Sequence, residues 1–294
     1  MPIGIAAQGR RNGRRPEFSV GHPELVICEE REFKMSIKYF TLYISLFALG
    51  LFIAMLFLLE IGRRMGIRRT AMDPEGARVP LTAIEGGIFA LLGLLIAFSF
   101  SGAASRFDHR RHLCSEEANA IGTAYLRLDL LQGQARERLR ADFRRYVETR
   151  LAAHRKIPDV EAAWQEFGRA MAIQREIWKQ AVLACRDEGS QSATMLLLPA
   201  LNQMIDITAT RVTAIKTHPP LLIFAMLSVL ALLSALVAGY GMARSKKRFW
   251  MHAVGFAIIM AFTIYVILDL ETPNLGLVRV DANRFLVDLL QSMK

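Results

Sequence analysis

Long uncharged apolar runs alternate with charged stretches along this chain, a pattern typical of proteins that cross a lipid bilayer. The apolar blocks run from about Tyr39 to Leu59, Ile84 to Phe100, Leu221 to Tyr240 and Trp250 to Leu268. A helix of about 20 residues crosses the ~30 Å hydrocarbon core of a bilayer. Lipid solvates neither charges nor unpaired backbone groups, so a membrane protein must separate the two kinds of segment in this way. The sequence therefore predicts four transmembrane helices.

The polar stretch between the second and third blocks also has a helical period. Leu139, Phe143, Val147 and Leu151 recur every four residues, and Asp159 is placed to cap the next helix. We expect breaks near Gly133, Ile157–Pro158 and Gly189, a bend at Pro199, and an extramembrane helical bundle inserted between the second and third membrane helices of an all-α protein. Two further apolar stripes support the bundle: Trp164, Phe167, Met171, Trp178 and Val182, then Leu198, Leu201, Ile205, Val212 and Ile215.

These patterns divide the chain into five segments. The segment after Glu271 is expected to turn back onto the helical domain, because Pro273 and Gly276 interrupt the helix there. The predicted segments are a disordered tail (1–36), transmembrane helices 1 and 2 (37–105), the extramembrane helical domain (106–218), transmembrane helices 3 and 4 (219–270), and a C-terminal turn with a short helix (271–294).

The first segment has no hydrophobic period and resembles a flexible tail. Met35 is followed directly by a short polar stretch and the first apolar block, which is typical of a membrane-protein start. One hypothesis is that translation begins at Met35, and the other is an ordinary tail. The intact mass of the native protein distinguishes them.

Charge and composition narrow the class of protein further. The 294 residues are 53% hydrophobic with a formal net charge of +10, yet no basic stripe with interleaved aromatic residues indicates nucleic-acid binding. Basic residues in short loops favour the cytoplasmic side, so the charge count predicts a periplasmic helical domain, although other basic residues flank the membrane helices on the domain side. The short-loop residues are Arg63, Arg64, Arg68, Arg69, Arg78, Arg244, Lys246, Lys247 and Arg248.

No motif of a nucleotide-binding, hydrolytic or metal-dependent enzyme is present, and the centres of the apolar blocks hold no carboxylate or histidine pair. We therefore predict no enzyme activity, no cofactor and no metal. Asp108, His112 and Glu116 share a helical face at steps of four, but nothing elsewhere supplies a matching ligand set. Cys114 and Cys185 are expected to be buried thiols, with a disulfide as the alternative in an oxidising compartment.

Small residues follow one another at steps of three or four along the second apolar block. Gly86, Ala90, Gly93, Ala97 and Ser101 thus form one helical face. Membrane helices use such faces to approach one another closely, so we predict a helix-packing face. A narrow pore lining with little side-chain obstruction is the alternative.

A polar strip follows that block. Glu116, Asn119, Thr123 and Arg127 fall on one face because their steps are three, four and four residues. With Arg110 and Arg111, this strip is our candidate for a pore mouth or a subunit contact. The alternative is a solvated face held by local side-chain pairs.

Three acidic residues lie at the edges of the apolar blocks: Glu85, Asp269 and Glu271. Charges at this depth are costly if they face lipid. We expect each to contact a partner or water, and extension of the side chain toward the headgroups is the alternative.

Two stretches, LLIAFSFSGAASRFD (94–108) and EEANAIGTAYLRLDLL (116–131), resemble the bacterial bestrophin-like domain family, a group of membrane proteins without an established activity. The resemblance covers about Met35 to the C-terminus. The family name points to bestrophins, which are pentameric anion channels with four membrane helices and a cytosolic helical region. The resemblance therefore implies a multi-pass protein of a bacterial plasma membrane and, by analogy alone, a channel. The resemblance also implies that the helical domain is cytosolic, whereas the charge count predicts a periplasmic one.

Two functions fit these observations. The first is an oligomeric, anion-leaning ion channel, because four helices are too few to enclose a pore alone and several copies would gather arginines at one mouth. The second is a membrane-anchored helical protein that binds a partner or senses a condition without transport. The expected partners are the lipid bilayer, further copies of the chain and inorganic ions.

Overall fold

The computed structural model describes residues 40–72, 82–157, 159–187, 191–243, 250–272, 277–278 and 282–293, and these contain helices and no strand. The tail before Phe40, its alternative start at Met35 and the break at Gly189 lie outside them. The helices are α1 (Phe40–Met72), α2 (Thr82–Arg127), a 3-10 turn (Leu128–Leu130), α3 (Gly133–Arg155), α4 (Val160–Asp187), α5 (Gln191–Lys216), α6 (Leu221–Met242), α7 (Trp250–Glu271) and α8 (Ala282–Ser292).

One hydrophobic core joins the four apolar helices α1, α6, α7 and the first half of α2. Met55, Leu92, Ala231 and Ala257 are buried in it. These four segments are long and apolar enough to cross a membrane, as the sequence predicts. Large apolar side chains also cover their outer surfaces, which suits contact with lipid: Phe57, Phe98, Leu222, Met251 and Phe262 are all more than half exposed.

The tightest contact in this core is between α1 and α6, and glycine makes it possible. A Cβ atom added to Gly62 would lie 2.0 Å from the carbonyl oxygen of Leu236, and one added to Gly239 would lie 2.0 Å from that of Leu59. No side chain fits at such distances. Lipid provides little hydrophobic driving force for helix association. The van der Waals contact of this close backbone approach therefore stabilises the packing of α1 against α6.

A second core joins the other half of α2 with α3, α4, α5 and α8. The predicted stripe on α3 is confirmed, because Leu139, Phe143, Val147 and Leu151 are all buried there. Asp159 accepts a hydrogen bond from the backbone N–H of Ala162, as a capping residue does. Helix α8 also belongs to this second core, because it packs on α2 and α3.

The buried faces of α4 and α5 differ from the predicted stripes. On α4 the aromatic stripe is only half-buried, and smaller residues such as Ala170, Ile177 and Ala181 fill the core. On α5 only Leu201 of the predicted stripe is buried, and the buried face is Ala193, Leu197, Ala200, Leu201, Met204, Thr208 and Arg211. On α4, close helix packing favours the smaller residues, and the large rings lie at the rim of the core. Pro199 lies inside the continuous helix α5.

Helix α2 belongs to both cores. Its 46 residues correspond to about 69 Å at 1.5 Å per residue, more than twice the ~30 Å hydrocarbon thickness. The break expected at Gly133 falls where α2 and its 3-10 turn give way to α3, and Gly133 has a φ of 61°, which favours glycine.

We predict that Gly239→Ala weakens the α1–α6 contact, because its methyl group would collide with backbone that cannot move aside. Gly50→Ala on α1 is the matched control, because nothing lies within 4 Å of a Cβ at that position. Thermal unfolding in detergent should show a lower midpoint for Gly239→Ala and an unchanged or higher one for Gly50→Ala. Equal midpoints would contradict the role of close packing.

Candidate functional site

Three residues of the predicted polar strip line an open groove between α2 and α5. Glu116, Asn119 and Thr123 are exposed on α2 and form one wall. The groove has a volume of about 620 Å³, and its other wall is formed by Pro199, Asn202, Gln203, Asp206, Ile207 and Thr210. We call this the acidic groove, because its charged lining residues are Glu116 and Asp206. Two carboxylates among amide and hydroxyl groups create a local potential that attracts cations.

The three arginines of the predicted mouth lie in different environments. Arg111 is exposed. Arg127 donates a hydrogen bond of 2.6 Å to the carbonyl oxygen of Leu196 on α5. Arg110 is buried and does not reach the groove. The arginines therefore do not form a single charged surface in one chain.

Arg110 instead joins the ends of two helices. Its guanidinium group donates to the carbonyl oxygens of Ala214, Thr217 and Glu271, at 3.1, 2.9 and 3.1 Å. The first two belong to the end of α5 and the third to the end of α7. Carbonyl groups at helix C-termini lack partners in their own helix and carry partial negative charge, so a buried guanidinium satisfies them well.

Two of the three acidic residues at the edges of the apolar helices, Glu271 and Asp269, have hydrogen-bond partners. The Glu271 side chain is buried and accepts hydrogen bonds from Arg106, one of them 2.9 Å long, while Arg110 lies 4.0 Å away. Asp269 is also buried and accepts the backbone N–H groups of Leu277 and Val278, both at 3.0 Å. Glu85 is half-buried beside Gly241 of α6.

A buried charge cluster connects the helices of the second core, and sequence reasoning did not find it. Glu117 on α2 is completely buried. One of its oxygens accepts from Arg150 of α3 at 3.1 and 2.6 Å, and the other accepts from Arg211 of α5. The Arg150 guanidinium also lies 4.8 Å from the centre of the Phe167 ring on α4. One carboxylate thus holds two buried guanidinium groups, each of which would be costly to bury alone.

Neutral polar groups surround this cluster, and the Thr208 hydroxyl lies 3.5 Å from Glu117. Gln174 of α4 donates to the Met204 carbonyl oxygen at 3.3 Å and lies 3.4 Å from the Thr208 hydroxyl. The ring of His154 lies 3.4 Å from Arg211. Burial, together with the nearby charge of Arg150, lowers the pKa of His154 from 6.5 to about 4. His154 is therefore neutral at pH 7, and the cluster keeps a net charge of +1.

A signal for this cluster was present in the sequence. Arg150 lies three residues after Val147, in phase with the buried stripe of α3, and Arg211 continues the buried face of α5. A charge in phase with apolar residues on several helices indicates a buried ion pair. The predicted polar strip contains Glu116, which is exposed, whereas the buried carboxylate is that of its neighbour Glu117.

The small-residue face of α2 is not covered by any other helix in the part of the chain that the structure describes. Gly86, Ala90, Gly93, Ala97 and Ser101 are all exposed. A Cβ added to Gly86 or Gly93 would meet nothing within 4 Å. The opposite side of the helix, with Leu92 and Ala103, packs in the apolar core. This face is therefore open to packing by another molecule, such as a second copy of the chain.

The remaining candidates from the sequence are the two cysteines and the possible metal ligands of α2. Cys114 and Cys185 are both buried, and they do not form a disulfide with each other. His112 lies 3.5 Å from Glu116, and Asp108 is exposed. Among the described residues no group of three histidine, cysteine or acidic side chains is placed to hold a metal.

The fold and the four apolar helices define an all-helical membrane protein. A sequence model of the Bestrophin-like domain matches residues 75–285. The chain therefore belongs to the Bestrophin-like domain family, which confirms the resemblance read from the sequence. No match was found among curated proteins.

Solved structures with a similar fold include variants of a bacterial bestrophin homologue from Klebsiella pneumoniae. One has a TM-score of 0.61 and 14% identity, and the match covers 82% of this chain and 97% of that chain. A second has a TM-score of 0.60 and 16% identity, with 84% and 96% covered. A crystal structure described as a membrane protein variant has a TM-score of 0.57 and 15% identity, with 82% and 97% covered. At such identities the likeness concerns the fold.

We predict that Glu117→Gln strongly destabilises the second core, because it leaves Arg150 and Arg211 buried without a counter-charge. Removing one partner of a buried ion pair costs about 3–5 kcal/mol. Glu116→Gln is the matched control, since it makes the same change one position away on an exposed side chain. Thermal unfolding should show a large drop in midpoint for Glu117→Gln alone. Equal behaviour of the two variants would mean that the cluster does not hold the bundle.

Proposed function

We propose that several copies of this chain assemble into an ion channel in which α2 lines the path. The observation that carries the proposal is the free face of α2. Small residues from Gly86 to Ser101 and polar residues from Glu116 to Thr123 are exposed along one helix. From Gly86 to Thr123 this face extends about 55 Å. An unobstructed apolar section that continues into a polar one suits a pore with a hydrated vestibule.

The number of helices supports assembly. The described residues contain four helices able to cross a membrane, and their mutual core is closed by apolar side chains. A path through the centre of one chain would require that core to open. A path between copies requires no such change, because the small-residue face already points away from it.

The presence of two separate cores supports one location inside the bilayer and one outside it. We propose that 82–105 of α2 crosses the bilayer and that the rest of α2 stands outside it with α3, α4, α5 and α8. A helix of 46 residues is too long for the hydrocarbon region alone. The buried Glu117 cluster would then lie in the outer bundle, where it fixes the position of α2 relative to α3 and α5.

The charges of the acidic groove favour cations. The anion preference expected from the sequence depended on Arg110, Arg111 and Arg127 acting together, whereas Arg110 and Arg127 are held by carbonyl groups. Glu116 and Asp206 face the groove. We therefore propose cation selectivity. The two hypotheses predict opposite signs of the reversal potential under a potassium chloride gradient.

We predict a cation-selective flux when the purified protein is reconstituted in liposomes. The double variant Glu116→Gln, Asp206→Asn should lower the potassium-to-chloride permeability ratio, because it removes the groove's negative charge. Ala97→Phe should reduce the flux itself, because the ring would project into the path. The measurement is the reversal potential, together with the rate of ion efflux.

Matched variants separate these effects from general damage. Glu176→Gln removes an exposed carboxylate on α4, away from the groove, and should leave selectivity unchanged. Ile259→Phe adds bulk at an exposed position of α7 and should leave the flux unchanged. If the folded protein carried no ion at all, the channel proposal would be wrong. A membrane-anchored interaction protein would then be the better hypothesis, favoured by the exposed Leu126, Leu183 and Met195 on the second core.

We also propose, from the loop charges, that the second core faces the periplasm of a bacterial inner membrane. In a background with all three cysteines replaced, a single Lys179→Cys on the exposed side of α4 tests this orientation. A membrane-impermeant maleimide should label it in intact spheroplasts. Labelling only after the membrane is permeabilised would place the domain in the cytoplasm, as the bestrophin resemblance implies.

A further inference from the structure

A second pocket lies between α2 and α5, next to the acidic groove. Its volume is about 430 Å³, and its polar lining residues are Arg106, His109, Arg110, Thr210, Thr213 and Thr217. Thr210 lines both spaces, so they are neighbouring parts of one cleft along the two helices. We call this part the basic pocket. The described residues that line the basic pocket include no carboxylate, whereas those of the acidic groove include two.

The basic pocket lies where the apolar helices end. On α2, Ala103 and Phe107 still pack in the apolar core, and Arg106 and His109 lie beside them in sequence. On the other wall, Thr217 precedes the start of α6 at Leu221 by four residues. If the apolar helices cross the bilayer, the pocket is at the level of the lipid headgroups.

One wall of the pocket carries excess positive charge. Arg106 and Arg110 share a single carboxylate, that of Glu271. All three hydrogen bonds of Arg110 go to backbone carbonyl groups, so this residue supplies charge rather than donors. The Arg106 side chain is 34% exposed and can still turn a donor toward the pocket, and His109 is exposed beside it. This wall suits a phosphate group.

The other wall offers oxygen atoms that accept hydrogen bonds. The hydroxyl groups of Thr210, Thr213 and Thr217 each donate to the carbonyl oxygen four residues earlier, at 2.9, 3.1 and 2.9 Å. Each hydroxyl therefore keeps its lone pairs for a donor in the pocket. A ligand that satisfies both walls has a phosphate at one end and hydroxyl groups at the other.

We propose that the basic pocket binds the headgroup of a glycerophospholipid with a hydroxyl-bearing headgroup, phosphatidylglycerol, from the surrounding bilayer. Its phosphate lies against Arg106 and His109, and its glycerol hydroxyls donate to the threonine oxygens. Leu221 and Leu222, which are 80% and 76% exposed at the start of α6, are available to the acyl chains. Basic pockets beside membrane helices bind lipid headgroups in this manner. Free inorganic phosphate would bind only the wall that contains Arg106 and His109.

The test uses the full-length protein in nanodiscs that contain equal amounts of phosphatidylglycerol and phosphatidylcholine, with bound lipid counted by native mass spectrometry. Wild-type protein should retain phosphatidylglycerol preferentially. Arg106→Ala should weaken this binding about tenfold, as expected for a lost charge-assisted hydrogen bond. Thr213→Val should weaken it about threefold, as expected for a neutral hydrogen bond, and this exposed isosteric change leaves the fold intact.

Arg111→Ala is the matched control, because Arg111 is an exposed neighbour outside the pocket. It should leave the bound lipid unchanged. Equal losses in Arg106→Ala and Arg111→Ala would overturn the proposal in favour of general surface charge. So would unchanged retention in Thr213→Val, or displacement of the lipid by millimolar inorganic phosphate, which would indicate a free-anion site. These readouts do not depend on ion flux, so the channel proposal and the lipid proposal can fail separately.

Discussion

The carboxylate of Glu117 is the contact on which the second core depends. It lies fully buried on α2 and binds arginines from α3 and α5, while Arg150 also faces an aromatic ring of α4. Two buried guanidinium groups repel each other, and an anion between them is needed to offset this repulsion. The geometry of this cluster thus constrains four helices at once. Nonpolar packing alone would permit small rotations of the helices, whereas charged hydrogen bonds hold α2 in a defined orientation.

The orientation of α2 matters because one continuous helix serves both cores. At the boundary between them, Arg110 satisfies the carbonyl ends of α5 and α7, and Arg106 binds Glu271. The two cores are therefore joined by a rigid helix and by ionic contacts beside it. A rotation of α2 in the outer bundle would be carried into the apolar bundle. Through this connection, a change of position in the second core would be carried into the apolar core.

The same orientation leaves the candidate functional surfaces of α2 uncovered. With Glu117 facing inward, its neighbour Glu116 faces the acidic groove, and the small residues of the first half of α2 point away from the apolar core. The basic pocket occupies the boundary between the halves. The cleft between α2 and α5 thus changes from basic near the apolar helices to acidic farther along. We expect this change of sign to order the positions that lipid headgroups and ions occupy.

The sequence by itself determined the four apolar helices, the buried stripe of α3 and the cap at Asp159, because these depend on local composition and period. It also identified the family, through residues 94–131. It could not determine which polar residues of α2 are buried, because Glu116 and Glu117 differ by only one position and their environments depend on helices that lie far away in the chain. The separation of Arg110, Arg111 and Arg127 was likewise decided by tertiary structure, since the carbonyl groups that hold Arg110 come from residues more than 100 positions later. Local period shows which face a helix can bury, and only the packed neighbours decide which charges that face contains.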